Sequence, residues 1–334
     1  MDPIKSLKLR LEYVGLKVLL FAVNFLPYSA AVKSGETLGS LMAKIMPKRY
    51  KRAVRDISKA FPEKSPQEIN QIAFESWKNM GRVTAEFIKA VHLPREVTEN
   101  LVELRNFGPV FEQEQKNSSA LVQVGHFANW ELFGLVMSIK FKMMSFIARP
   151  QNNPYVDKEL NRLRTIFGGK MVSAYNPFFS CFRTLKKGSL MGILSDQSAP
   201  SSKLYMDFLN RPAEVAPMTA MLALKLNLPI FLVRLFRENG KIVAEVEETI
   251  PPQNAAYTHE AMKALTVRLK NKYEEWIRRD PASWLWAHNR WKREKDSLAH
   301  MRREQQKQQK AAQAQAALQD DQNKQTEVPH ASRS

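Results

Sequence analysis

The spacing of apolar positions changes character along the chain. From Lys33 to Leu93 apolar residues recur at three- and four-residue intervals, the period of amphipathic helices. After Val97 short apolar runs take over. Ala120–Val124, Met143–Ala148, Leu190–Leu194 and Ile230–Leu235 have the length and branched residues of buried strands, and helical spacing fills the stretches between them. Strands alternating with helices predict an α/β domain, a central mixed sheet flanked by helices. Helical spacing returns over Tyr257–Arg278, and from Arg293 the sequence becomes charged and rich in Gln and Ala.

Local signals place some boundaries. Ser65-Pro66-Gln67-Glu68 is a capping box with proline at the first helical position, and it predicts a helix through Phe87. Asn129 is the expected N-cap of the helix that follows the first strand. Gly168-Gly169-Lys170 reads as a helix-ending turn. There is no internal repeat and no G-x-x-x-x-G-K-[ST] phosphate loop.

The amino-terminal region reads as a hydrophobic, membrane-associated helix. Tyr13 to Val32, YVGLKVLLFAVNFLPYSAAV, has roughly the length that spans a bilayer, interrupted by Lys17, Asn24 and Pro27. A single span, a helix lying in the interface and a buried core helix all remain open at this stage. Lys44, Lys48, Arg49, Lys51, Arg52 and Arg55 follow as a basic belt, suited to anionic headgroups or to a solvated helix face. The chain thus divides into an anchor or interfacial helix (1–32), a main domain (33–292) and a charged tail (293–334) that is disordered or a solvated helix.

With 44% hydrophobic residues the chain can bury a sizeable core. Its 51 Lys+Arg against 33 Asp+Glu leave a net charge of +18, which calls for an anionic partner: nucleic acid, anionic lipid or an acidic protein. No nucleic-acid-binding module is recognisable, so nucleic acid is not the expected partner. The one cysteine, Cys181, excludes an intrachain disulfide framework and reads as a packed thiol. No Cys/His cluster has metal-ligand spacing, and no metal is expected.

Candidate chemistry gathers where predicted strands end, the usual place for ligand sites in α/β domains. In ALVQVGHFANWELFGL the first strand ends on Gly125 and delivers His126 to a loop. Glu131, in the first turn of the next helix, can converge with that loop histidine as a His–carboxylate pair, which fixes the imidazole tautomer and stabilises an imidazolium. The alternative is a capping histidine and a solvated glutamate. Arg149, Gln151, Asn152 and Asn153 follow the second strand; the arginine can hold a phosphate in a bidentate fork and the asparagines can bond sugar or amide groups. Ser195, Asp196 and Gln197 follow the third. Near the end, WLWAHNRWK puts three tryptophans among basic residues, in a bilayer interface or a packed closing turn.

GHFANWE around His126, RPQNNP around Arg149, the Asp196-Gln197 pair and the closing WLWAHNRWK resemble, in this order, the bacterial lipid A biosynthesis acyltransferases. The resemblance runs from the amino-terminal helix to Lys292 and departs from the family pattern at Asn210, where glycine is usual, and at Asn289, where arginine is commoner. It implies an enzyme of the Gram-negative inner membrane, active at the cytoplasmic face. Its reaction would move a lauroyl- or myristoyl-class chain from acyl carrier protein to a hydroxyl of a 3-hydroxyacyl chain on a lipid A precursor. By the same resemblance His126 is the general base, Glu131 orients it, Arg149 binds a phosphate or the developing oxyanion, Asp196 helps position substrate or supports the site, Gln197 binds substrate, and Arg290 lies at a phosphate contact. No cofactor beyond the acyl carrier protein co-substrate is implied, and the partners are that protein, the lipid A precursor and inner-membrane phospholipid. A different lipid acceptor, or a non-catalytic membrane adaptor that keeps the fold, are the competing readings.

Overall fold

A computed structural model describes residues 3–173, 176–198, 202 and 204–326. Helices α1 (Pro3–Phe25) and α2 (Tyr28–Ile45) are separated at Leu26-Pro27, because proline lacks a backbone N–H and disfavours helix at the residue before it. The apolar stretch over 13–32 is thereby split between two helices. No helix among the described residues is long and apolar enough to cross a membrane, which corrects the single-span expectation. The helix is not a buried core element either. Leu20 and Val23 face inward, whereas Leu7, Leu11, Val14, Val18, Phe21 and Phe25 are 55% to 73% exposed. Their alternating four- and three-residue spacing draws one apolar stripe along the outer face of α1.

Helices α3 (Pro47–Ala60) and α4 (Pro66–Ala90) complete the amino-terminal layer. The capping box forms as expected, the Ser65 hydroxyl and the Glu68 carboxylate each meeting the other's backbone N–H. Of the basic belt, Lys44, Lys48, Arg49 and Lys51 are exposed, while Arg52 donates to the Ala287 carbonyl at 2.6 Å.

The domain proper continues through α5 (Arg95–Thr98), β1 (Val102–Arg105), α6 (Gly108–Gln115), β2 (Ala120–Val124), α7 (Trp130–Lys140), β3 (Met144–Ile147), α8 (Pro154–Arg164), β4 (Lys170–Val172), α9 (Pro177–Leu185) and β5 (Leu190–Leu194). A small hairpin of β6 (Tyr205–Phe208) and β7 (Arg211–Glu214) leads to α10 (Met218–Leu226), β8 (Ile230–Glu238), β9 (Lys241–Ile250), α11 (His259–Arg279) and α12 (Glu294–Thr326). Seven strands form one sheet in the order β1-β9-β8-β2-β5-β3-β4. Only β8 and β9 pair antiparallel, so the sheet is mixed and central as expected.

The four predicted strands are β2, β3, β5 and β8. Parallel pairing buries β2 on both faces, which is why it reads as a continuous apolar run. Strands β1 and β9 escape that pattern because charged residues interrupt them: only Val102 of β1 is buried, and half-buried Glu245, Glu247 and Glu248 break the apolar run of β9. Lys170 opens a strand of its own, after Gly168 turns the chain at φ +97°. Cys181 is fully buried on α9, and burial pushes its thiol up to about 11. The tryptophans of WLWAHNRWK form a packed closing turn: Trp284, Trp286 and Trp291 are buried and contact one another ring to ring. The tail takes the solvated-helix form as α12 through Thr326, with residues 327–334 outside the described part. Its start is held by fully buried Ser297, by the Glu294–Arg211 ion pair and by the stacking of His300 on Tyr205.

Candidate active site

Sheet register builds the site. Val124 pairs with Leu194 across β2 and β5. Two residues further along each parallel strand, His126 and Asp196 therefore emerge side by side. Strand β3 pairs Phe146 with Gly192 of β5, so its exit delivers Arg149 to the same end of the sheet. Gly125 is required where it stands: a Cβ there would lie 2.6 Å from the Phe127 ring and 3.1 Å from Tyr273. The loop beyond His126 is pinned in an uncommon conformation. Ala128, at φ +44°, donates its N–H to Ser283 Oγ at 2.8 Å and accepts from Asn79 Nδ2 at 3.1 Å. Asn129 caps α7 as expected, its Oδ1 accepting from Leu132 N at 2.9 Å.

The carboxylate that meets His126 is Asp196, not Glu131. Nδ1 of His126 lies 2.8 Å from Asp196 Oδ1, and the His126 backbone N–H donates to Oδ2 at 3.1 Å. Trp284 Nε1 donates to the same Oδ2 at 2.7 Å. Burial pushes the Asp196 carboxyl up, but the charge of His126 and the hydrogen bonds from His126 and Trp284 outweigh it and hold the group below the usual carboxylate range. An ionised acceptor at Nδ1 places the proton on that nitrogen and leaves the lone pair on Nε2. The ring also packs edge-on against Trp130, with centroids 5.0 Å apart.

Glu131 is engaged elsewhere. It takes a two-pronged ion pair from Arg164 at the end of α8, with Nε to Oε2 at 2.9 Å and Nη2 to Oε1 at 2.5 Å. Strand register already fills the position beside Nδ1 with Asp196. Burial disfavours the Arg164 charge, yet the charge and hydrogen bonds of Glu131 outweigh this and raise its pKa. Both side chains face the cavity described next.

A cavity of about 950 Å³ opens over these groups. His126, Glu131, Arg164, Arg149 and Gln197 line its polar part, and Gly134, Leu135, Phe146, Met171, Phe178 and Met221 are among its apolar walls. Arg149 is exposed at the rim, as is Asn152 just beyond. Gln197 has its Oε1 buried without a hydrogen-bond partner. Besides Asn152, three expected site residues lie outside this wall: Asp196, which reaches it through His126, and Asn153 and Arg290. Asn153 caps α8 through Oδ1 and ties it to α1 by donating to the Leu9 carbonyl and Glu12, so its side chain is consumed by the fold. Arg290 sits behind Asp196, where its Nε donates to the Asp196 carbonyl at 2.9 Å and its guanidinium lies 4.6 Å from the Phe208 ring centre. Burial lowers its pKa to about 10, leaving it charged near neutral pH.

Sequence reasoning missed Arg164 and Trp284 as members of the site. Arg164 had only its place in a basic last helical turn to mark it. Trp284 lay in the quoted closing motif, but nothing local pointed it at a carboxylate in another strand exit. Among the described residues no three His, Cys, Asp or Glu side chains gather as metal ligands. A histidine with a buried carboxylate behind it, facing a cavity whose walls are largely apolar, is an arrangement that can serve general-base chemistry.

Comparison with known proteins places this geometry among relatives. A family model described as "Bacterial lipid A biosynthesis acyltransferase" matches residues 4–293. The lipid A biosynthesis palmitoleoyltransferase of Escherichia coli (strain K12) is 25% identical over 301 residues, covering 84% of this chain and 91% of the relative. The lipid A biosynthesis lauroyltransferase of the same strain is 26% identical over 292 residues, with the same coverage. Among solved structures, the 1-acyl-sn-glycerophosphate acyltransferase of Thermotoga maritima matches with a TM-score of 0.36 at 14% identity, covering 74% of this chain and 98% of that one.

Proposed function

The chain belongs to the bacterial lipid A biosynthesis acyltransferases, and from that premise we propose that it transfers a fatty acyl group from acyl carrier protein to a hydroxyl of a 3-hydroxyacyl chain on (Kdo)2-lipid IVA or its partly acylated product. The observation that carries this reading is the His126–Asp196 pair opening on a cavity that is polar at its rim and apolar within.

In the proposed reaction Nε2 of His126 takes the proton of the acceptor hydroxyl as the oxygen attacks the thioester carbonyl. The C–O bond forms, the C–S bond breaks, and the departing thiolate recovers a proton from the imidazolium. Asp196 holds the ring in the required tautomer and offsets the imidazolium charge. The thioester is already activated, so a base, positioning and oxyanion stabilisation are sufficient. Arg149 at the rim meets a phosphate of the acceptor or the developing oxyanion. Arg164, held by Glu131, brings a second fixed positive charge to the cavity wall.

The same reading places the protein on the cytoplasmic face of the inner membrane, with the apolar stripe of α1 lying in the interface and the basic belt against anionic headgroups. An acidic carrier protein is attracted by the excess of positive charge. The test is mass spectrometry of lipid A from a deletion strain complemented with the wild-type chain or with His126→Ala. Loss of one acyl chain, restored by the wild type alone, is the expected result. An unchanged profile in a strain without a redundant enzyme overturns the lipid A acceptor and directs the search to other membrane lipids.

A further inference from the structure

Helix α7 starts beside the catalytic histidine and runs down the cavity. Trp130 in its first turn packs against the His126 ring, and Glu131, Gly134 and Leu135 face the cavity. Opposite them stands Phe146, whose ring is enclosed by residues without side chains. A Cβ built on Gly192 would meet Phe146 Cδ1 at 2.9 Å, and one on Gly169 would meet Cε2 at 3.0 Å; one on Gly134 would stop 3.7 Å from Cε1 and Cζ. Ser138, the next residue along this face of α7, already lies beyond the ring, its Oγ 2.3 Å from the Gly169 Cβ position. Phe146 thus lines the cavity with its ring seated against Gly169 and Gly192, where no Cβ would fit without displacement.

We propose that Phe146 is the residue that limits the length of the acyl chain this enzyme accepts, its ring closing the apolar end of the cavity against α7. The inference rests on the acyl-transfer reading and adds to it the element that sets chain length. Two substitutions act in opposite directions. Phe146→Ala removes the ring and leaves no other side chain of those three positions to refill the space, so the cavity lengthens. Gly134→Leu sends a side chain into the cavity ahead of the ring, so it shortens. The second change also replaces a mid-helix glycine with a strong helix former, which favours α7.

The experiment measures transfer rates from acyl carrier protein thioesters of graded chain length, together with displacement of a bound fluorescent fatty acid by unlabelled fatty acids of the same lengths. Phe146→Ala is expected to move both optima toward longer chains and Gly134→Leu toward shorter ones. The preference between neighbouring lengths should change by about tenfold or more, the discrimination a hydrophobic pocket gives per methylene. Wild-type length profiles in either folded variant, by displacement as well as by transfer, overturn the proposal. Absence of transfer in the wild type with an intact, length-selective displacement curve instead removes the acyl-transfer reading and leaves the role of Phe146 standing. If Phe146→Ala does not fold, Gly134→Leu still decides by the direction of its shift.

Discussion

His126 and Asp196 stand at matching positions two residues beyond the paired ends of β2 and β5, and their side chains meet at 2.8 Å. Pairing through the sheet rather than through neighbouring sequence makes the dyad a property of strand register. A slip of one residue between β2 and β5 would turn every side chain to the opposite face and break the contact.

His126→Ala is expected to fold and to lose roughly 10²–10⁴-fold in kcat, the usual contribution of a positioned base. Steady-state kinetics alongside circular dichroism checks it. Near-normal turnover would remove His126 from the reaction.

Asp196→Asn should be costly in two ways. The amide presents an NH2 group to a site already supplied with donors by His126 Nδ1, the His126 backbone N–H and Trp284 Nε1. One buried donor then faces another, at a cost of about 1–3 kcal/mol in stability. Chemical denaturation of wild type and variant measures this, and kcat should fall with it because the tautomer is no longer fixed.

The depressed pKa of Asp196 gives stability a definite pH dependence. A carboxyl more acidic in the folded state binds its proton more readily in the unfolded chain. Its contribution is therefore complete above the ordinary aspartate range, near pH 4, and is lost as pH falls through the folded value below it. Denaturation midpoints in the acid range should fall less steeply for Asp196→Asn than for the wild type; identical slopes would show that the group is not tied up as described.

Glu131 and Arg164 should behave as a unit. Removing either leaves a partly buried charge without its partner, so Glu131→Ala and Arg164→Ala each lose stability and activity. The double variant should lose less than the sum, with a coupling of about 0.5–3 kcal/mol in a double-mutant cycle. Additive losses would mean that the ion pair has no functional weight.

On α1, Val14→Glu combined with Phe21→Glu is expected to release the protein from anionic vesicles. Burial of one large apolar side chain is worth about 1.5–3 kcal/mol, so each change weakens binding roughly tenfold or more. Vesicle sedimentation of the two chains makes the comparison, and equal binding would move the contact away from this stripe.

The sequence analysis reached the four central strands, the capped helices, the packed cysteine and the clustering of His126, Arg149 and Asp196 at strand exits, because each leaves a local mark. It assigned the wrong carboxylate to His126. Glu131 is five residues away along the chain, whereas Asp196 is seventy away and reaches the histidine only through strand pairing. Asn153 looked like a ligand because its cap and its bonds to α1 belong to packing that composition does not express. Arg164 was invisible for the same reason, being defined by the approach of α8 to the start of α7.

The closing turn also dates the birth of the site during synthesis. The main-chain oxygen of His126 accepts from Leu285 N, and the Asp196 carboxylate accepts from Trp284 Nε1 while the Asp196 carbonyl accepts from Arg290. A nascent chain that has emerged through Asp196, two residues past β5, already carries both members of the dyad but none of these three supports. The growing polypeptide therefore completes the surroundings of His126 and Asp196 only when the segment through Arg290 has left the ribosome, and a chain interrupted before that point carries the pair without these supports.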